Sequence, residues 1–449
     1  MKFSFRFILF IFLSSALNAQ ELKPVSLKDA IEYALQNKSD VKKAELKIEN
    51  SEYLIQEARA GALPSINANG GLTYNPLLQK TAIPTSSFPG GEEFTDPFVI
   101  LAMGQNWNSV IGVSLNQNLF DQTVFTGLKA ARTTREFYRI NAELTEEQVI
   151  ERVATAYYNV FVQKEQLQTI KETIENVEKT RNVIKSLYEN GLAKEIDLDR
   201  VSVQLSNLNS SKQQLINAVS LTENALKFYM GMPMTQPLEL ADEDFSVEQL
   251  LFEDDVNPEN RTEIKILKKQ GELLHLQKEA TKAAYYPKLS LTASYNYLGQ
   301  GDKFPIGSGL SKGVYWSDFS AVGLNLSIPI FNGLGIKAKV SQADIQIREN
   351  EQDLIETELS LNLEYNNAKT RIENSYIDIE NQEENVNLAL KVVNNTENNY
   401  KLGLATLTDL IESQNALLNS KNNYSNAVLE FKLAEVQLLK SKGELKTLK

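Results

Sequence analysis

The 449-residue chain contains no cysteine and a single histidine, His275. The first absence excludes a disulfide framework and thiolate or iron–sulfur chemistry, and the second removes imidazole triads and the usual zinc site. No HExxH, Walker or GxGxxG pattern is present, and His275, the lone candidate base for a hydrolytic serine, lies within GELLHLQKE on a helical pattern, where a surface or interface role suits it. The reading is of a protein that is not an enzyme and that calls for no metal and no cofactor. Beyond the first twenty residues no apolar run approaches the roughly 18 residues of a spanning helix, so any entry into a membrane is made by strands. Positive charge is also scarce, with 46 Lys and Arg against 58 Asp and Glu. Setting aside Lys2 and Arg6 leaves 44 basic residues and a net charge of −14, which argues against nucleic acid as a partner and against anionic lipid as the main attraction.

Those two basic residues open a leader. Lys2 and Arg6 precede the apolar stretch Phe7 to Leu13, and Ser14-Ser15-Ala16 or Leu17-Asn18-Ala19 offers a cleavage site, with 1–19 taken as the signal peptide. The mature chain is expected to be exported and, lacking cysteine, to have no attachment point for a lipid anchor.

Proline is confined. It stands at 24, 64, 76, 84, 89 and 97, is then absent until 233, and does not recur after 329. Because proline inside a helix removes a hydrogen bond and clashes with the preceding turn, 98–232 and 330–449 are free to form long helices. Their apolar residues agree. Leu198, Val201, Leu205, Leu208, Leu215, Val219, Leu226 and Tyr229 fall on alternating steps of three and four, with Lys212 and Thr222 the exceptions, and Val153, Val160, Leu167 and Ile174 with Ala156, Ile170, Val177 and Ile184 follow the same repeat on the preceding arm. Leu410, Leu417, Tyr424, Ala427, Phe431, Ala434 and Leu438 fill the matching columns further on. A seam this narrow is a coiled-coil signature.

The chain is also duplicated. YENGLAKEIDL at 188–198 returns as YKLGLATLTDL at 400–410, with Gly191 and Gly403, and Asp197 and Asp409, each 212 residues apart. Each copy sits at the turn between two long helical patterns, and a fold built for reach points to a conduit or an adaptor.

Between the helical halves the period changes to two. Ile66, Ala68, Gly70, Leu72 and Tyr74 alternate with small polar residues, and three more stretches follow suit: Val113, Leu115 and Leu119; Leu289 to Tyr297; Val322 to Ile330. The intervening residues are Ser, Thr, Asn and Gly rather than Lys and Glu, and each stretch has the roughly 9 to 11 residues of a tilted strand crossing hydrocarbon. Trp107, Tyr315, Trp316 and Phe319 are candidates for an aromatic girdle. The turn-rich segments Pro76 to Asn106 and Gly299 to Lys312 are expected as exposed loops on the far side of the membrane. The fold class is thus an α+β membrane protein with four transmembrane strands and long antiparallel coiled-coil helices in two tandem repeats. Four strands cannot close a barrel, so copies must associate, in a number this arithmetic leaves open.

In order and spacing, the tandem repeat, the junctions Asn118-Leu119-Phe120-Asp121 and Pro329-Ile330-Phe331-Asn332, and the tips Gly191-Leu192-Ala193 and Gly403-Leu404-Ala405 resemble the TolC-like outer-membrane efflux proteins. The resemblance covers essentially the whole mature chain. It implies a homotrimer sharing a twelve-stranded barrel in outer-membrane lipid, continuous with an α-helical periplasmic tunnel. It also implies a periplasmic adaptor and an inner-membrane pump of RND, ABC or MFS type as partners, with no nucleic acid involved. On this reading the first repeat covers 20–230, with strands near 65–75 and 109–119 and helices near 121–188 and 192–230. A connecting loop covers 231–256 and includes the acidic stretch ADEDFSVEQLLFEDD. The second repeat covers 257–445, with strands near 288–298 and 320–330 and helices near 334–400 and 404–442.

The resemblance also assigns roles. Asp409 and Glu412, one turn apart on one helix face, match the family's acidic ring at the periplasmic gate, where crowded carboxylates would attract cations. The competing role for Asp409 is to cap its helix, one that Asp197 suits in the first copy. Tyr400 and Asp197 match closed-state tip contacts, although Ala405 stands where well-known members carry arginine. Gly191, Leu192, Gly403 and Leu404 are the expected adaptor-docking tips. The function implied is an outer-membrane exit duct of a tripartite efflux or type I secretion system, opened by an iris-like movement of the tips. The alternative is a periplasmic coiled-coil adaptor or scaffold of an export complex.

Overall fold

The structure, a computed structural model, describes residues 24–89, 95–241 and 257–449. The expected leader and nearly all of the acidic stretch lie outside these residues. In chain order the elements are α1 (Leu27–Asn37), α2 (Ser39–Ala60), β1 (Ser65–Tyr74), β2 (Gln79–Pro84), β3 (Phe98–Met103), β4 (Trp107–Phe120), α3 (Gln122–Glu189) and α4 (Glu195–Met230). Then come α5 (Thr262–Lys282), β5 (Lys288–Gly301), β6 (Val314–Ser327), α6 (Gly335–Lys401) and α7 (Leu407–Lys442). Among the described residues no helix is long and apolar enough to cross a membrane. The two repeats match in their helices: α3 and α6 have 68 and 67 residues, α4 and α7 have 36 each. At 1.5 Å per residue the longer pair extend roughly 100 Å.

The chain divides into two compact units. One comprises residues 44–141 and 262–358 and contains the sheets. Its main sheet has the order β1-β4-β5-β6 with every neighbouring pair antiparallel, so β1 and β6 are open edges. The register sorts the side chains as the alternation requires. Ile66 lies opposite Leu115, Val113 opposite Tyr295 and Ala293 opposite Val322, which gathers the apolar residues on one face. Asn67, Ser114, Ser294 and Ala321 line up on the other. All ten residues of β1 are exposed, and Val322 and Leu324 on β6 are 78% and 67% exposed. An apolar face this open has no place in water.

The aromatic residues split between the faces. Trp107 and Trp316 sit on the apolar face against Tyr74 and Tyr297, at ring distances of 4.6 and 4.9 Å. Tyr315 and Phe319 fall on the polar face, opposite Gln300 and Asn296, and do not join them. Near this end the apolar face carries the charged residue Asp318, whose carboxylate accepts a hydrogen bond from the Tyr295 hydroxyl at 3.0 Å.

Two further differences from the sequence pattern stand out. The segment Pro76 to Asn106, expected as loop, contains the ribbon β2–β3, in which Thr81 pairs with Leu101 and Ile83 with Val99. Its many prolines mask a short β-rich run, FVILAM. The fourth strand runs over Val314–Ser327, so Ile328 and Ile330 of the alternating stretch lie beyond its end.

Helices in this unit are tied by ion pairs. Arg135 of α3 meets Glu52 of α2 at 3.1 Å, Lys269 of α5 meets Glu136 at 3.0 Å, and Lys278 of α5 pairs with Asp344 of α6. At the first strand-to-helix junction Asp121 accepts from the Thr123 amide and hydroxyl at 2.9 and 2.6 Å and from Lys288 Nζ at 2.9 Å. One carboxylate thus caps α3 and clips it to the start of β5.

The second unit comprises residues 142–261 and 359–449 together with the chain's first 43 residues, described from residue 24. Its cores are seams, as the three-and-four steps require. Ile170, Ile174, Val177 and Ile184 of α3 close on Val201 and Leu208 of α4, with Leu407 of α7 joining them. Ala368, Ile372 and Ile379 of α6 close on Ala427, Phe431, Ala434 and Leu438 of α7. A third cluster buries α1 through Ala30, Ile31 and Ala34 against Ile150, Val153, Tyr157 and Leu226. Lys38 Nζ caps the end of α4 by donating to the Phe228 carbonyl at 2.9 Å, and Val25 forms a parallel bridge with Leu240.

Candidate functional site

Two helix–turn–helix tips occupy the α3–α4 and α6–α7 turns, and both are built by one device. Gly191 and Gly403 adopt φ of 74° and 75°, a left-handed conformation that costs a side-chain-bearing residue strain. The amide of Leu192 then donates to the Leu187 carbonyl at 2.8 Å and that of Gly191 to Tyr188 at 2.9 Å. In the second copy Leu404 donates to Asn399 at 2.8 Å and Gly403 to Tyr400 at 3.0 Å. This is the two-bond Schellman closure at both helix ends. It leaves Leu192 and Leu404 projecting, 75% and 76% exposed.

The helices that follow start differently. Thr406 is the N-cap of α7, and its hydroxyl accepts from the Asp409 amide at 3.2 Å. The Asp409 carboxylate accepts in return from the Thr406 amide at 2.8 Å and from the Thr406 hydroxyl at 2.7 Å. The capping box is complete, and these hydrogen bonds hold the exposed Asp409 carboxyl below the usual carboxylate range. Glu412 lies one turn on and is exposed on the same helix. In the first copy the N-cap is Lys194, which provides no side-chain hydrogen bond. Asp197 therefore has no capping partner, contrary to the expectation that it suits the cap role. A threonine at 406 against a lysine at 194 is the sequence signal for that difference.

Tyr400 is partly buried and packs against the apolar seam whose buried residues include Ile184, Val201 and Leu407. Burial pushes its phenol up, and the nearby Asp197 charge adds to the effect. No hydrogen bond joins Tyr400 and Asp197 within the chain, so the structure brings this pair close without linking it.

The side-chain link between the tips comes from residues the motifs did not single out. Arg200 of α4 donates from Nη1 to Thr408 Oγ1 of α7 at 2.9 Å, and Gln204 donates to Asn415 one turn further along. Arg200 stands in the first repeat where Glu412 stands in the second, the same 212 residues away that separate Asp197 from Asp409. Extending the repeat two residues past the recognised motif would have found it. A cleft of about 330 Å³ opens among α3, α6 and α7 beside the second tip, bordered by Glu172, Lys179, Glu397, Tyr400 and Lys421.

Residues 30–232 and 259–444 match the family described as outer membrane efflux protein. The chain belongs to that family. As an outer membrane efflux protein it is 21% identical over 346 residues to outer membrane protein TolC of Vibrio cholerae, spanning 74% of this chain and 76% of that one. It is 22% identical over 422 residues to the pyoverdine export outer membrane protein OpmQ of Pseudomonas aeruginosa, spanning 92% and 82%. Among solved structures its fold is similar to CusC, with a TM-score of 0.74 at 15% identity over 93% of this chain and 91% of that one. It is similar as well to the open-state MtrE channel of Neisseria gonorrhoeae, with a TM-score of 0.72 at 18% identity over 93% and 89%. The protein is an outer-membrane channel of efflux systems, and the alternative of a periplasmic adaptor is set aside.

Proposed function

We propose that this outer membrane efflux protein is the exit duct of a tripartite efflux or type I secretion machine. Three copies join their sheets into one twelve-stranded barrel in outer-membrane lipid, and the long helices continue it as a periplasmic tunnel. The observation that carries this reading is the sheet itself: one apolar face, one polar face and two open edges, a combination that hydrocarbon tolerates only when closed. The exposed tips at Gly191, Leu192, Gly403 and Leu404 dock a periplasmic adaptor, which brings in a pump of RND, ABC or MFS type. Asp409 and Glu412 form the acidic gate, and an iris-like movement of the tips opens it. Tyr400 and Asp197, which stand near one another on neighbouring tips, make the closed-state tip contact.

Purified protein reconstituted in a planar bilayer tests the proposal. Wild-type channels are expected to prefer cations and to be blocked by multivalent cations, and Asp409→Ala combined with Glu412→Ala is expected to remove both properties. Unchanged selectivity and block in the double variant would end the gate assignment, and failure of the wild type to conduct would end the duct.

A further inference from the structure

The internal repeat carries a sheet register that no single copy displays. Placing Ser65 on Lys288 and Asn116 on Ser327 lays the first hairpin over the second, since Ser65 pairs with Asn116 and Lys288 with Ser327. The match holds to the far end, where Tyr74 opposite Trp107 falls on Tyr297 opposite Asp318. The two hairpins are thus the same unit in the same register. They meet within the chain along β4–β5, with Val113 opposite Tyr295 and Gly112 opposite Asn296.

Building on the multi-copy channel reading, we propose that β6 of one copy joins β1 of the next in the register that β4–β5 dictates. Carried over residue by residue, Val322 faces Tyr74 of the next copy, Leu324 faces Leu72, Leu326 faces Gly70 and Ser327 faces Asn69. Three observations support this seam. First, it pairs apolar face with apolar face along its whole length, whereas a slip of one residue would oppose every apolar side chain to a polar one. Second, these residues are the open edges: Val322, Leu324 and Leu326 are 78%, 67% and 59% exposed, and β1 is exposed throughout. Third, it explains Pro329. The β4–β5 ladder has a bulge between Asn118 and Phe120, and the positions that correspond are Pro329 and Phe331. Proline is tolerated in a sheet at a bulge. Strand β6 therefore extends past Ser327 when its neighbour is present, continuing through the bulge to set Phe331 opposite Ile66. Ile330, 96% exposed in the single chain, becomes the bulged residue, as Leu119 is within the chain.

The cysteine-free chain makes the test direct. Full-length protein carrying Leu72→Cys with Leu324→Cys, or Asn69→Cys with Ser327→Cys on the polar face, is oxidised in outer membranes, boiled in SDS and run on a gel. Directly opposed side chains have Cβ atoms about 5 Å apart and diagonal neighbours about 7–8 Å, so crosslinking of the in-register pairs is expected to be at least tenfold faster than for Leu72→Cys with Val322→Cys or Leu326→Cys. The expected product is a boiling-resistant covalent oligomer. Faster crosslinking of a shifted pair, in protein that still forms an SDS-resistant oligomer before boiling, would overturn the register while leaving the channel intact. No oligomer before or after oxidation, in wild type or in any variant, would instead overturn the multi-copy channel on which the seam rests.

Discussion

The two helix tips follow the same backbone path and differ in what they carry on it. Each turn is closed by one left-handed glycine and two backbone hydrogen bonds, which demand nothing of the neighbouring side chains. With the turn secured in that way, the residues after it are free to diverge. The first copy has Lys194, Asp197 and Arg200, and its arginine reaches across to Thr408. The second has Thr406, Asp409 and Glu412, a locked helix start with an exposed acid one turn on. One tip has become a brace and the other an acidic surface. The strand-to-helix junctions diverge in parallel. In the first, Asp121 caps α3 and holds Lys288. In the second, Asn332 stands in the place of Asp121 and is followed by Gly333 and Leu334, both at positive φ, before α6 begins. Leu334 at φ 65° carries strain of about 1 kcal/mol that the first junction does not have.

The largest effect is expected from breaking the junction comparison on its stronger side. Asp121→Ala removes a cap worth about 1–2 kcal/mol and frees Lys288, whose half-exposed side chain adds little more. The midpoint of guanidinium unfolding in detergent should fall accordingly. Asn332→Ala, by contrast, loses no side-chain hydrogen bond and should cost less than about 0.5 kcal/mol. The difference should depend on pH. Burial raises the Asp121 carboxyl, but hydrogen bonds from Thr123 and Lys288 lower it more, leaving it below the usual carboxylate range. Its stabilising contribution is therefore present in full above the ordinary aspartate pKa and is lost as pH falls towards the depressed value. Wild type and Asp121→Ala should converge in acid and separate at neutral pH, and equal gaps at both would break the assignment.

A smaller effect is expected at the tips. Thr406→Ala dismantles the capping box of α7 and should cost about 1 kcal/mol, while Lys194→Thr gives Asp197 the partner it lacks and should stabilise α4 by about 0.5–1 kcal/mol. Hydrogen exchange at the amides of the first turn of each helix reads both changes locally. If Lys194→Thr leaves protection at Asp197 unchanged, the difference between the tips has a cause other than the cap.

How much of this was legible in the sequence follows from which interactions are local. The seams of α3, α4 and α7, the left-handed glycines and the alternating strands all obey short-range periodicity, and of the residues named from it Val153, Val160, Val201, Leu226, Leu410 and Phe431 are buried while Leu167, Leu198, Leu205 and Tyr424 are partly so. The paired hairpins and their register follow from the same alternation. What escaped was of two kinds. Pairings between distant residues, such as Arg200 with Thr408 or Asp121 with Lys288, leave no mark in a local pattern. The ribbon β2–β3 was hidden because proline and glycine around it advertise loop more strongly than six residues advertise strand. At the site, Asp409 was recognised, but its bond to Thr406 was visible only as the spacing of a threonine and an aspartate three residues apart.

The smallest predicted effect sharpens the comparison most, because it asks whether the junctions differ for a structural reason or by drift. Within the chain the meeting of β4 and β5 is clipped by Asp121 and Lys288. In the proposed seam between copies the corresponding positions are Asn332 and Ser65 of the next copy, and neither bears a charge. If the seam repeats the internal geometry, Asn332→Asp together with Ser65→Lys transplants the clip across it. The gain per exposed pair is expected to be only about 0.5 kcal/mol, but it recurs at every seam of the ring. The reading is the temperature at which the SDS-resistant oligomer dissociates, which should rise for the double variant at low salt and return towards wild type at high salt. Each single substitution should leave that temperature unchanged or lower it. A rise produced equally by Ser65→Lys alone would mean that the new lysine has found another partner, and the two junctions would then not be equivalent in space.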